Sequence, residues 1–151
     1  MKAFCNFQEL LNNAMKGLEL HPKFQSLKED CSRFPEHSEQ LFQVYLDLTE
    51  AKDFVDVAVI QSPLLGRCLI EGTHPDNDQR FLILPSFITE SWTVTKLESV
   101  FVKLSKEHDA RLSAAALSRI TLGVISADST ITYMNLYRGV PSENSQVGSV
   151  P

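Results

Sequence analysis

The chain has no run of 18 apolar residues, no closely spaced cysteines, no paired histidines and no excess of basic charge. Each absence excludes something. Without a long apolar run no helix is expected to span a membrane, so no membrane partner is expected. Cys5, Cys31 and Cys68 are odd in number and far apart, with no CxxC pair to hold zinc or a redox disulfide. They read as the reduced thiols of a cytosolic or nuclear protein. The N-terminus, MKAFCNFQELLNNAMKGLEL, is interrupted by Gln, Glu and Asn and lacks the apolar core of a signal peptide, so an intracellular protein is expected. His21, His37, His74 and His108 form no HxxxH or HxH pair. His74-Pro75-Asp76 and His108-Asp109 bring imidazole near carboxylate only in predicted surface loops. Neither a metal site nor a cofactor is therefore expected.

The motifs of several enzyme classes are missing too. GxSxG, which announces a serine nucleophile, is absent, as are GxGxxG and GxxxxGK[ST] for phosphate cradles. Metal-dependent nucleases of the restriction type follow an acidic residue with Glu-x-Lys, whereas Glu71 is followed by Gly72-Thr73. Cys68 lies in an apolar run between Arg67 and Leu69, where a core thiol is a better reading than a nucleophile. The formal net charge is −5 and the isoelectric point about 5.3. Phosphate neutralisation supplies much of RNA affinity, so any RNA contact should be shared with a more basic partner.

What is present is ordinary globular composition, 43% hydrophobic and 22% charged over 151 residues, enough for one domain with its own core. Phe4, Phe7, Leu11, Ala14, Met15 and Leu18 recur at helical spacing and predict an amphipathic arm over residues 1–20. His21-Pro22 breaks it, and a short helical stretch through Phe24 and Leu27 follows. Pro35 suits a helix first turn. Leu41, Val44, Tyr45, Leu48 and Ala51 then predict an amphipathic helix ending near Asp53. From Val55 the period changes. Val55–Gln61, Arg67–Glu71 and Arg80–Leu84 read as an antiparallel meander, the last strand stopped by Pro85. Thr95-Lys96-Leu97-Glu98 fits a capping box and opens a helix running to about Glu107. Ala114 to Leu117 suits a helical turn or a loop. Ile120–Ile125 and Thr130–Leu136 form a hairpin closed by the turn Ser126-Ala127-Asp128-Ser129. Residues 140–151 have the composition of a disordered tail. Helices, three strands, a helix and two strands predict an α/β (α+β) fold, a mixed sheet flanked by helices. Tyr133 and Tyr137 share one strand face, where packing is a stronger reading than exposed stacking on RNA.

Several local patterns together resemble one family. His21-Pro22-Lys23-Phe24, then Val44-Tyr45-Leu46-Asp47-Leu48, the Arg67–Gly72 strand, Leu84-Pro85 with Ile88-Thr89, the capped helix, and Ser126 to Ile131 followed by Tyr133 resemble the small non-catalytic subunits of eukaryotic tRNA-splicing endonucleases. The match runs from His21 to Gly139. The resemblance implies a fold like the tRNA-intron endonuclease catalytic domain (restriction-endonuclease-like) over residues 21–139. It also implies a nuclear, four-subunit enzyme that excises introns from precursor tRNA.

Catalytic members use a Tyr, a His and a Lys without metal. A base takes the ribose 2′-OH proton, an acid protonates the leaving oxygen and a cation stabilises the phosphorane. By the resemblance, Ile70 occupies the place of the Tyr, Arg80 and Phe81 that of the His, and Ser118 or Arg119 that of the Lys. His74 falls several residues early. The chain is therefore expected to be non-catalytic. The family also implies pairing through the last strand and insertion of the hairpin loop into a neighbour. The interface would then comprise Ser126, Asp128, Ser129, Thr130, Thr132, Tyr133, Met134, Leu136 and Tyr137. The expected partner is a catalytic subunit, in a heterodimer within a heterotetramer, with precursor tRNA bound through the complex. Self-pairing into a homodimer is the expectation for the isolated chain. Two alternatives stand beside this: a protein-interaction domain unrelated to RNA, and a weak metal-independent ribonuclease using His74 and Arg119.

Overall fold

The computed structural model describes residues 23–115 and 119–138. The expected N-terminal helical arm, the His21-Pro22 break, Ala116-Leu117 and the tail lie outside them. Period-2 alternation builds the centre of the molecule. Strands β1 (Val55–Ser62), β2 (Arg67–Thr73), β3 (Arg80–Phe87), β4 (Arg119–Ile125) and β5 (Ile131–Tyr137) form one sheet in the order β1-β2-β3-β4-β5. The first three are the expected antiparallel meander. β3 and β4 are parallel, so the chain must cross over between them. The crossover carries α3 (Val94–Ser105) and α4 (Ala110–Ala115), after α1 (Phe24–Arg33) and α2 (Ser38–Leu46) have preceded the sheet. The expected mixed sheet with flanking helices is the observed one.

Because successive strand residues point to opposite faces, the sheet has two cores. Ile70 and Ile83 pack with Phe24, Leu27, Phe42, Val44 and Leu48 of the α1–α2 side. Leu69, Leu82, Leu122 and Ile120 pack with Val100, Phe101, Leu104 and Leu112 of the α3–α4 side. Phe42 and Leu104 are wholly buried, and truncating either to alanine should cost about 3 kcal/mol. Cys31 and Cys68 are both in the first core, as expected for Cys68. Burial raises their thiols to about 11 and about 12, with the Asp30 charge a smaller cause. Thiols so protonated are poor nucleophiles.

Three local expectations are corrected. β3 does not stop at Pro85 but continues to Phe87. Its pairing with β2 ends at Ile70–Ile83, while its pairing with β4 runs on from Ile83–Thr121 to Phe87–Ile125. A proline can sit on the side the β2 ladder has left, where no N–H is needed. The α3 cap is Thr93, not Thr95. Thr93 is extended and its side chain accepts from the Lys96 N–H at 3.1 Å. Thr95 falls inside the first turn, and Lys96 stands at the position where a capping box needs Glu. Finally, the helix ending near Asp53 is not one regular α-helix. A 3-10 turn (Pro35–His37) leads into α2, and a π-turn (Asp47–Ala51) closes it. The wider π-turn buries Leu48 but leaves Ala51 exposed, although both follow the same sequence period.

Candidate pairing edge

Two strands close the sheet, β1 on one side and β5 on the other. β5 pairs with β4 without a break from Ile131–Ile125 to Tyr137–Arg119. Its far side carries no further strand, and none of its seven residues is charged. The hairpin turn sets this register. Ser126 N–H donates to Thr130 O at 2.8 Å and Ser129 N–H to Ser126 O at 2.9 Å, with Ser129 at φ 68°. Asp128 braces the turn by accepting from both the hydroxyl and the N–H of Thr130. These hydrogen bonds, the hydroxyl's first, hold its carboxyl below the usual aspartate range. Asp128 thus stays ionised at a fully exposed corner.

The expected interface residues divide into two groups. Thr130 and Thr132 are exposed, Met134 is 46% exposed, and Leu136 and Tyr137 are half-buried. Tyr133 turns inward instead. Gly123 lies opposite it in the register, and a side chain there would come within 3.3 Å of the Tyr133 ring. The ring uses that space. Its hydroxyl donates to Asp47 of the π-turn, and the Lys52 ammonium lies 5.4 Å from its centroid. Burial, and then the Asp47 carboxylate, push the phenol well above its ordinary range. Tyr133 therefore pins β5 to the helix that precedes the sheet, and what it offers a neighbour is backbone. Asp47 had no sequence signal beyond being an acid beside the apolar Leu48.

Beyond the strand itself, α3 leans over β5. Val94, Leu97 and Phe101 of the helix and Leu136 to Arg138 of the strand enclose an open groove of about 500 Å³. Its helix wall was invisible to sequence reasoning, because the crossover that brings α3 to β5 is long-range. One buried network fixes that helix. Glu90 accepts from Arg67 at 2.7 Å, from Ser86 at 2.7 Å and from Lys96 at 2.9 Å, while the Lys96 ammonium lies 4.3 Å from the Trp92 ring centroid. Burial alone would raise the Glu90 carboxyl. The Arg67, Ser86 and Lys96 bonds outweigh it and bring it to about 2.

The positions set against catalytic ones lie at the opposite end of the same strands. Ile70 is wholly buried and Phe81 nearly so. The Arg119 guanidinium lies 4.5 Å from the Phe81 centroid and donates to Arg80 O, while Arg80 pairs with Glu71. His74 packs against Phe54 at 5.4 Å and Phe81 at 6.4 Å, and its Nδ1 accepts the Asp76 N–H. His74 and Arg119 do approach the same ring, but that ring is a hydrocarbon.

Fold and edge together define a small mixed-sheet domain with one regular, uncharged strand open for pairing. Against known families, the model described as Sen15 protein matches residues 43–144, more than half of the chain. The chain belongs to the Sen15 family. The human protein named tRNA-splicing endonuclease subunit Sen15 is 28% identical over 122 residues, covering 79% of this chain and 68% of its own. The mouse protein of the same name is 27% identical over 120 residues, covering 79% and 69%.

Proposed function

We propose that this chain is a non-catalytic subunit of a tRNA-splicing endonuclease, supporting intron excision from precursor tRNA by pairing β5 with a catalytic subunit. Membership of such a complex is supported by the family match and by the names of the human and mouse relatives. The observation that carries the pairing is the open β5 edge, seven uncharged residues in unbroken register. Such an edge presents unpaired backbone donors and acceptors that another strand can satisfy. The exposed Asp128 corner is at hand to enter a neighbouring subunit. A non-catalytic role is supported by the side chains at Ile70 and Phe81, which can neither accept nor donate a proton. Arg119 supplies a charge, but a charge without acid or base does not cleave. Precursor tRNA is then reached through the complex, and the site of action is the nucleus.

The test is affinity purification of the tagged full chain from cells. The eluate should contain splicing-endonuclease subunits and cleave precursor tRNA at both splice sites, while the purified chain alone leaves it intact. Specific cleavage by the chain alone would overturn the non-catalytic role and favour the His74–Arg119 ribonuclease. An eluate without endonuclease subunits would favour an interaction domain unrelated to RNA.

A further inference from the structure

We infer that the groove between α3 and β5 receives apolar side chains of the partner's added strand, so that α3 roofs a sixth strand contributed by the second chain. This rests on the reading of β5 as the pairing edge and says what the partner strand must look like.

The first argument is area. A seven-residue strand is about 24 Å long and strands lie about 4.8 Å apart, so edge pairing alone covers on the order of 100 Å², against about 800 Å² per partner in a stable interface. The rest must come from faces flanking the edge. On the α1–α2 side, Tyr133 is already bound to Asp47 and covered by Lys52. On the α3 side the flanking surface is apolar and unfilled. Leu97, Phe101 and Leu136 line the groove, and Val94 stands 81% exposed at its helical wall. Alternate residues of β5 project to this side, Met134 and Leu136 among them, because Leu122 and Ile120, their partners in β4, belong to the α3 core. A strand added beyond β5 would send its own alternate side chains into the same space.

The second argument is charge. Glu98 lines the helix wall and Arg138 the strand wall. Between them the surface is uncharged, and burying an unpaired charge there would be costly. The occupant is thus a strand of the catalytic subunit with large apolar residues at alternate positions. An acidic residue should stand near Arg138 and a basic one near Glu98.

The experiment measures binding of the full chain to the co-purified catalytic subunit, comparing wild type with Val94→Glu and with Thr132→Lys. Both positions are exposed, so thermal melting of the free chain should be unchanged. Thr132 lies at the end of β5 away from the groove and reports on the edge alone. Each variant should weaken binding at least tenfold. Unchanged binding by V94E with weakened binding by T132K would overturn the roofed groove and leave edge pairing standing. Unchanged binding by both would overturn the pairing reading as well. Loss with V94E alone would show a groove ligand that is not an added strand, and would also overturn the proposal.

Discussion

The two edges of the sheet are built differently. β1 holds one extra residue between Val55 and Ala58 where β2 runs only from Thr73 to Glu71, a bulge that bends the strand out of register. Asp56 sits in that bulge at φ 52°, exposed, with Asp53 at φ 52° just before it. A bulge and inserted charges are how sheets discourage an incoming strand. β5 has neither. Its register is unbroken, its residues are uncharged and its flank opens into a groove beneath α3. One edge is closed and the other left open, which is the asymmetry expected of a domain that pairs on one side only.

The comparison can be broken most directly by exchanging the character of the two edges. Met134→Lys should weaken partner binding at least a hundredfold, about 2.7 kcal/mol, whereas Val55→Lys on the β1 edge should leave it within twofold. Pull-down or calorimetry would show this, and equal losses at both edges would erase the distinction.

A second test reaches the β5 side through the helix that roofs it. Glu90 is ionised in the fold with its carboxyl near 2, below its ordinary value of about 4.5. A lowered folded value means the stabilisation is complete above pH 4.5 and is lost as pH falls towards 2. The Arg67–Glu90 pair, 8% and 17% exposed, is buried enough for this to be on the order of 2–3 kcal/mol. Glu90→Gln should lower the melting point at pH 7 and flatten its acid dependence in that window. Amide exchange should rise first in α3 rather than in β1. A variant with the same acid profile as wild type would remove Glu90 from this role.

The smallest effect is expected at the closed edge. Asp56→Gly relieves a left-handed non-glycine backbone and should stabilise the chain by about 0.5–1 kcal/mol in denaturant melts, with partner binding unchanged. A loss of stability would mean that the Asp56 side chain is needed where it stands.

Much of the framework was legible in the sequence. The β-branched run from Val55, the RCLIE and RFLIL strands and the hairpin around Ser126 to Ser129 all follow from period-2 patterning and turn chemistry, which are local. The errors were also local in cause. Thr95 and Thr93 both precede helical residues, and only backbone conformation says which one caps. Pro85 reads as a stop because proline lacks an N–H, yet the stop depends on which neighbour would have needed that donor. The candidate edge was legible as a strand but not as a surface. Nothing in ITYMNLY reveals that Tyr133 is fastened to Asp47, 86 positions earlier, while Met134 beside it stands exposed.

β5 itself marks the division. Residue order alone determined that a strand forms there, that a braced Asp128 turn precedes it, and that neither acid nor base stands at Ile70 and Phe81. These depend on side-chain chemistry and short-range periodicity. Only the tertiary structure decided that β5 lies at the rim of the sheet, that β1 at the other rim is bulged, and that α3 overhangs β5 to leave a groove. Strand order and helix placement arise from contacts between residues far apart in the chain, which no local pattern encodes.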